Sequence, residues 1–127
     1  MEAKTLNLNV GAIVWSTGWQ PYDAAKIDYL GFGEYPNIIT NMMMERLAAP
    51  NGPTQGKIQR PSDDKAPQSI AFVQCAGSRD KSMGISYCSR VCCMYAIKQA
   101  MLLSGALPLA DITIYYMDIR AFGKGYE

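Results

Sequence analysis

The sequence contains no histidine. Any metal site must therefore be built from other side chains, and no paired carboxylate or nucleophile–base set suggests hydrolysis. Cysteine is missing outside Cys75–Cys93, and the 19 residues of that block hold all four in the chain. Charge of one sign is also missing: 12 basic and 11 acidic residues are interspersed for a net charge of +1. No basic stripe marks a nucleic-acid footprint. The most apolar run, Ala100 to Ala110, is broken by Ser104, Gly105 and Pro108. It is shorter than the about 20 residues that a membrane span takes. The opening MEAKTLNLN has no charged-then-apolar signal layout. The expected location is the cytosol, where thiols stay reduced or metal-bound. No internal repeat or low-complexity tract is evident, and 49% apolar residues argue for a folded chain.

What is present centres on CAGSRDKSMGISYCSRVCC. Twelve residues separate Cys75 from Cys88, three separate Cys88 from Cys92, and Cys93 follows directly. Four thiols so placed, without histidine, suit one all-sulfur site for an iron–sulfur cluster or a zinc ion. The alternatives are four buried free thiols, or a redox dithiol such as Cys92/Cys93 or Cys88/Cys92. A helix from Cys88 puts Cys88 and Cys92 on one face and turns Cys93 by roughly 100° from Cys92. One site then needs an irregular first turn, or Cys92 and Cys93 straddling the metal group. Arg79, Lys81 and Arg90 are cations that would offset its negative charge, as would the N–H groups of a helix start.

The scaffold reads as α/β, a Rossmann-like three-layer fragment with a short, mostly parallel sheet and flanking helices. Asn9–Trp15 reads as a buried strand. Ser16–Asp23 is a loop, and Thr40 caps a helix over NMMMERLAA that ends at Pro50, Asn51 and Gly52. Residues 52–68 are a connector with exposed Asp63 and Asp64. Ser69–Gln74 is a second strand. Cys88–Leu103 is a helix with Val91, Tyr95, Ala96, Ala100 and Leu102 as its apolar stripe, stopped by Gly105. Asp111–Met117 is a third strand, closing a right-handed βαβ unit. Three regions follow: 1–51, 52–68 and 69–127. One or two of Met42–Met44 fill core. Trp15 and Trp19 either stack on a flavin or pack between the halves; Asp118 and Arg120 either reach a cofactor or, the favoured reading, form an ion pair that caps a strand end. Both ends of the chain read as cut from a larger polypeptide, because sheet edges would otherwise lie open.

At QCAGSRD, YCSRVCCMYAIKQA and YYMDIRAFGKGYE the sequence resembles the A subunit of heterodisulfide reductase. It is similar as well to the A subunit of the quinone-interacting membrane-bound oxidoreductase. The likeness begins at VGAIVWSTGWQPYD and runs through GFGEYPNIIT, MMMERLAAPNGPTQGKIQRPSD and IAFVQCAGSRD to the last residue. It implies a flavoprotein of the thioredoxin-reductase-like class that passes electrons between partner subunits through FAD and iron–sulfur clusters. Carried over residue by residue, it implies a 4Fe–4S cluster on Cys75, Cys88, Cys92 and Cys93. VWSTGW resembles the stretch that closes the FAD domain, with Ser16 where alanine is usual, and puts Thr17 and Gly18 beside the flavin. No GxGxxG fingerprint is present, so weak FAD binding and no activity are expected of this stretch alone. QCAGSRD stands where a nicotinamide-binding domain would carry glycines, which implies single-electron transfer in place of hydride transfer. Other subunits of the complex are the implied partners, with no direct membrane insertion and at most peripheral association through them. The competing reading is a zinc-stabilised, non-catalytic docking module for partner subunits.

Overall fold

The computed structural model describes residues 3–126; Met1, Glu2 and Glu127, the outer ends of the first and last predicted regions, lie outside the described residues. The regular elements are α1 (Asn41–Ala48), β1 (Ser69–Val73), α2 (Cys92–Ala106) and β2 (Asp111–Tyr115). Two short 3-10 turns, Ala24–Lys26 and Asp28–Leu30, precede them. β1 and β2 pair in parallel from Ser69↔Asp111 to Val73↔Tyr115. The ladder extends one step each way, through Gln74 N–H to Tyr115 C=O and Asp111 N–H to Gln68 C=O, both 2.9 Å. Parallel neighbours need a long crossover, and α2 supplies it. α2 contacts both β2 and α1. The fold is thus α/β, a two-stranded parallel sheet with two helices, in keeping with the Rossmann-like expectation.

α1 starts where the sequence predicts. Thr40 is extended, with φ −80° and ψ 161°, and its hydroxyl oxygen accepts from Met43 N–H at 3.3 Å. The end is set by Gly52, whose N–H reaches Ala49 C=O at 2.8 Å. A Cβ at Gly52 would fall 1.8 Å from the Arg46 carbonyl oxygen, so only glycine fits that turn. Met44 is buried while Met42 and Met43 are exposed, in line with the predicted sharing of the methionine run.

Three expectations are corrected. Asn9–Trp15 is not a strand: residues 3–21 are exposed and irregular, with Trp15 82% accessible. Its β-branched run has the composition of a strand, but no neighbour within the described residues pairs with its backbone. α2 begins at Cys92, not Cys88. Arg90 has φ +65°, and a left-handed residue cannot continue a right-handed helix. The helix then runs past Gly105 to Ala106 and closes at Leu107, whose N–H meets Leu103 C=O at 2.7 Å, just before Pro108. The strands are also shorter than predicted, ending at Val73 and Tyr115.

The buried face of α2 is Cys92, Cys93, Ala96, Gln99 and Leu103, spaced at three and four residues as helical period demands. The predicted stripe was misplaced by one position at its far end, since Leu102 is 50% exposed and Leu103 is fully buried. Gln99 Nε2 donates to Asn41 C=O at 3.1 Å and to Glu45 Oε1 at 3.0 Å. Lys98 Nζ sits 2.8 Å from Glu45 Oε2. These contacts lock α1 onto α2. Asp63 and Asp64 are exposed, as expected, and are held in a local turn with Arg60 and Gln59.

Replacing Leu103 by alanine empties a fully buried position and is expected to cost about 2–5 kcal/mol. Leu102→Ala, on the exposed side, is expected to cost far less; denaturant melts of both variants check the assignment of the buried face. Lys98, and then Gln99, hold the Glu45 carboxyl below its ordinary value against a smaller opposing effect of burial. A depressed folded pKa stabilises above the unfolded value, and that contribution vanishes as pH falls through the folded one. Stability is therefore expected to decline on acidification below about pH 5, by less than about 1 kcal/mol for this solvent-screened pair. The decline should flatten in Glu45→Gln when melts are compared across pH.

Candidate metal centre

Cys75 lies just past β1, where the ladder has run out at Gln74. Its backbone is left-handed, with φ +59°. Ser78 N–H turns back to Cys75 C=O at 3.1 Å. Gly77, also left-handed, is buried against the ring of Tyr22: a Cβ there would stand 2.4 Å from Tyr22 Cδ1. The absence of a side chain at Gly77 lets the stretch before α1 close over the cysteine loop.

From Arg79 the chain makes a small hairpin. Asp80 and Ile85 exchange both backbone bonds, at 2.7 and 3.0 Å, and Arg79 N–H meets Tyr87 C=O at 3.0 Å. The Asp80 carboxylate accepts from Ser82 N–H at 2.9 Å and Ser82 Oγ at 2.6 Å, which holds the tip. The return strand delivers Cys88, half-buried, whose sulfur accepts from Arg90 N–H at 3.3 Å. Ser89 Oγ donates to Cys92 Sγ at 3.3 Å.

Cys92 and Cys93 open α2 and are 6% and 4% exposed. They are two of the six buried apolar side chains among the described residues, so the centre sits in the core itself. Gln74 Nε2 donates to Cys92 C=O at 3.3 Å and ties the end of β1 to the start of α2. Cys93 Sγ lies 3.9 Å from Asp118 C=O, on the segment after β2. Three parts of the chain converge here: the end of β1, the start of α2 and the segment after β2.

Burial pushes the Cys75 thiol up, Cys92 and Cys93 add to the rise, and Arg79 opposes it. The Tyr95 phenol is pushed up to about 12 by burial, with Cys92, Cys93 and Cys75 contributing. Cys88 is not among the sulfurs acting on either group; its own turn points it to Arg90 N–H. Asp118 is held below the ordinary carboxylate range by the Arg79 guanidinium, and by Arg120, whose Nε lies 3.2 Å from Asp118 Oδ2.

Among the described residues no three cysteine, aspartate or glutamate side chains gather tightly enough to hold one metal ion. A single zinc ion needs its sulfurs at about 2.3 Å from one point. A four-iron cluster binds one thiolate per iron, so its ligands surround a larger body. In donor chemistry, four thiols with no imidazole, the residues present fit that cluster. Of two shallow clefts, one is lined by α1, α2, Gly56 and Ile58 and the other by Ile39, Met42, Met43, Arg46, Leu47, Pro53 and Pro61; neither touches a cysteine.

The other predicted residues lie apart. Thr17 and Gly18 belong to the exposed, irregular stretch before Pro21, with Gly18 at φ +89°. Trp15 and Trp19 are both exposed and do not pack between the two halves. Of the three cations, Arg79 pairs with Asp118, whose carbonyl lies by Cys93 Sγ, Lys81 is exposed, and the Arg90 guanidinium stacks 4.7 Å from the Phe122 ring centroid. The Asp118–Arg120 pair is present, but Asp118 also binds Arg79, 39 residues earlier. Sequence reasoning did not find that contact, nor Tyr22 against Gly77, because no local pattern links positions so far apart. Gln74 was legible in principle as the polar residue between an apolar strand and the first cysteine.

No family model matches the chain. Among described helices none is long and apolar enough to cross a membrane. The chain is 52% identical over 126 residues to the A subunit of the H(2)/formate:CoB-CoM heterodisulfide,ferredoxin reductase of Methanococcus maripaludis. That match covers 99% of the chain and 19% of the relative. It is 47% identical over 127 residues to the A subunit of the H(2):CoB-CoM heterodisulfide,ferredoxin reductase of Methanothermobacter marburgensis, with the same two shares. An iron-sulfur A subunit of the CoB–CoM heterodisulfide reductase of Methanopyrus kandleri is 50% identical over 126 residues, again 99% and 19%. The chain thus spans about a fifth of the length of the curated relatives it matches. With identity near half over almost every residue, the chain belongs to the family of heterodisulfide reductase A subunits, of which it matches one stretch.

Proposed function

We propose that this chain is the electron-relay part of a heterodisulfide-reductase-A-like oxidoreductase subunit, with Cys75, Cys88, Cys92 and Cys93 holding a 4Fe–4S cluster. The observation that carries the reading is that Cys75 follows the end of β1 while Cys92 and Cys93 open α2, two ends tied together by Gln74 on Cys92 C=O, in a homologue of subunits named for iron and sulfur. Open α/β folds present ligands at that edge of the sheet. When bound, the cluster supplies a one-electron acceptor and donor.

The chain's own residues do the rest. Cys92 and Cys93 present thiolates from inside the core, where water is excluded. Gln74 holds the first turn of α2 against β1. Backbone N–H groups at the start of α2 favour the negative charge of a thiolate-bound cluster. The hairpin from Arg79 to Tyr87 delivers Cys88 four residues ahead of the start of α2. QCAGSRD replaces the glycines of a nicotinamide site, so single electrons take the place of hydride. In the intact subunit Thr17 and Gly18 approach FAD, and residues 1–51, 52–68 and 69–127 serve as FAD-side region, connector and cluster region. Electrons pass between that FAD and partner subunits of the complex, in the cytoplasm, with membrane association only through those partners.

Anaerobic reconstitution with iron and sulfide is expected to give a brown protein with about four irons and four sulfides per chain. Reduction should yield an electron paramagnetic resonance signal, and serine at any one of the four cysteines should lower iron content sharply. A colourless protein holding one zinc, unchanged by iron and sulfide, would overturn this reading in favour of a docking module.

A further inference from the structure

Arg79 stands out from every other charged residue near the cysteines. Its side chain is 20% exposed, and its guanidinium Nη1 donates to Asp118 Oδ1. Asp118 is shared: Arg120 Nε binds its other oxygen, and its backbone carbonyl faces Cys93 Sγ at 3.9 Å. Arg79 itself stands four residues after Cys75, on the loop that follows that cysteine. One guanidinium thus joins the loop that follows the first cysteine to the segment that lies against the last.

The backbone is shaped to put it there. Cys75, Arg79 and Arg90 are left-handed, with φ +59°, +56° and +65°, and none is glycine. Such residues persist only where surrounding structure holds them, and they concentrate at functional sites. At Arg79 the hold is its N–H bond to Tyr87 C=O, at the base of the hairpin. An extended backbone at this position would send the side chain elsewhere. Lys81, two residues along, extends to solvent instead.

We propose that Arg79 is the positioning residue of the four-cysteine centre, and that Arg79 and Asp118 together set the charge its sulfurs meet. This rests on the electron-relay reading and deepens it. A four-thiolate cluster gains negative charge on reduction. A guanidinium fixed on this loop favours the reduced form, and the Asp118 carboxylate opposes it. Asp118 in turn keeps Arg79 from swinging into water and fastens the segment after β2 across the mouth of the loop. Arginine suits the task because its planar fork engages a carboxylate with one nitrogen and leaves others for the sulfur side. Its charge persists at any working pH.

The test is a redox titration of the anaerobically reconstituted chain, followed by electron paramagnetic resonance, in Arg79→Gln, Arg79→Lys and Asp118→Asn. Arg79→Gln removes a positive charge and is expected to shift the midpoint to more negative potential. Arg79→Lys restores the charge and should recover most of that shift. Asp118→Asn removes a negative charge and should shift the midpoint the opposite way. A purely structural role has no reason to give opposite signs. If Arg79→Gln retains no iron, Asp118→Asn decides: a raised potential supports the assignment, and an unchanged or lowered one overturns it. A wild-type chain that takes up cluster, with all variants at its potential, overturns the roles of Arg79 and Asp118 and leaves the electron-relay reading standing. A wild-type chain that takes up no cluster overturns the electron-relay reading and this assignment with it.

Discussion

The parallel pairing of β1 with β2 is the constraint on which the rest of the structure depends. Two strands running the same way cannot be joined by a tight turn. The chain must leave the end of β1, travel back along the sheet and re-enter at the start of β2. α2 is that return path. The loop after Val73 and the first turn of α2 therefore lie at the same edge of the sheet. The register Ser69↔Asp111 to Val73↔Tyr115 also brings the residues after Tyr115 to that edge. Cys75, Cys92, Cys93 and Asp118 come to one edge for this reason, although up to 42 residues separate them in the chain.

On that frame, short-range chemistry shapes the loop. Left-handed backbone at Cys75, Gly77 and Arg79 curls it, and the Asp80–Ile85 bridge closes it. Gly77 gives Tyr22 its seat. Arg90, left-handed and stacked on Phe122, sets the point at which the helix can begin. Arg79 and Arg120 share the Asp118 carboxylate in a small network on the segment that lies by Cys93. The core is small and includes Cys92 and Cys93.

Much of this was legible in the residues. The strand at Ser69, the cap at Thr40, the long cysteine loop and the parallel strand–helix–strand unit follow from apolar period, capping chemistry and turn residues. The boundary of α2 was not legible, because nothing in SYCSRVCC announces that Arg90 adopts a left-handed backbone. The reading of Asn9–Trp15 as a strand failed for a different reason. Its composition is that of a strand, but pairing depends on a neighbour, and none of the described residues provides one. The slip from Leu103 to Leu102 shows how a helix rich in apolar residues on several sides hides its buried face. The Arg79–Asp118 contact was beyond sequence reasoning, since it exists only once the sheet has formed.

X-ray absorption at the iron edge of the reconstituted chain tests the central claim most directly. The account predicts iron ringed by sulfur alone, with other irons as near neighbours, as four thiolates and inorganic sulfide require. Iron bound by oxygen or nitrogen, or a metal with no second metal nearby, would contradict it.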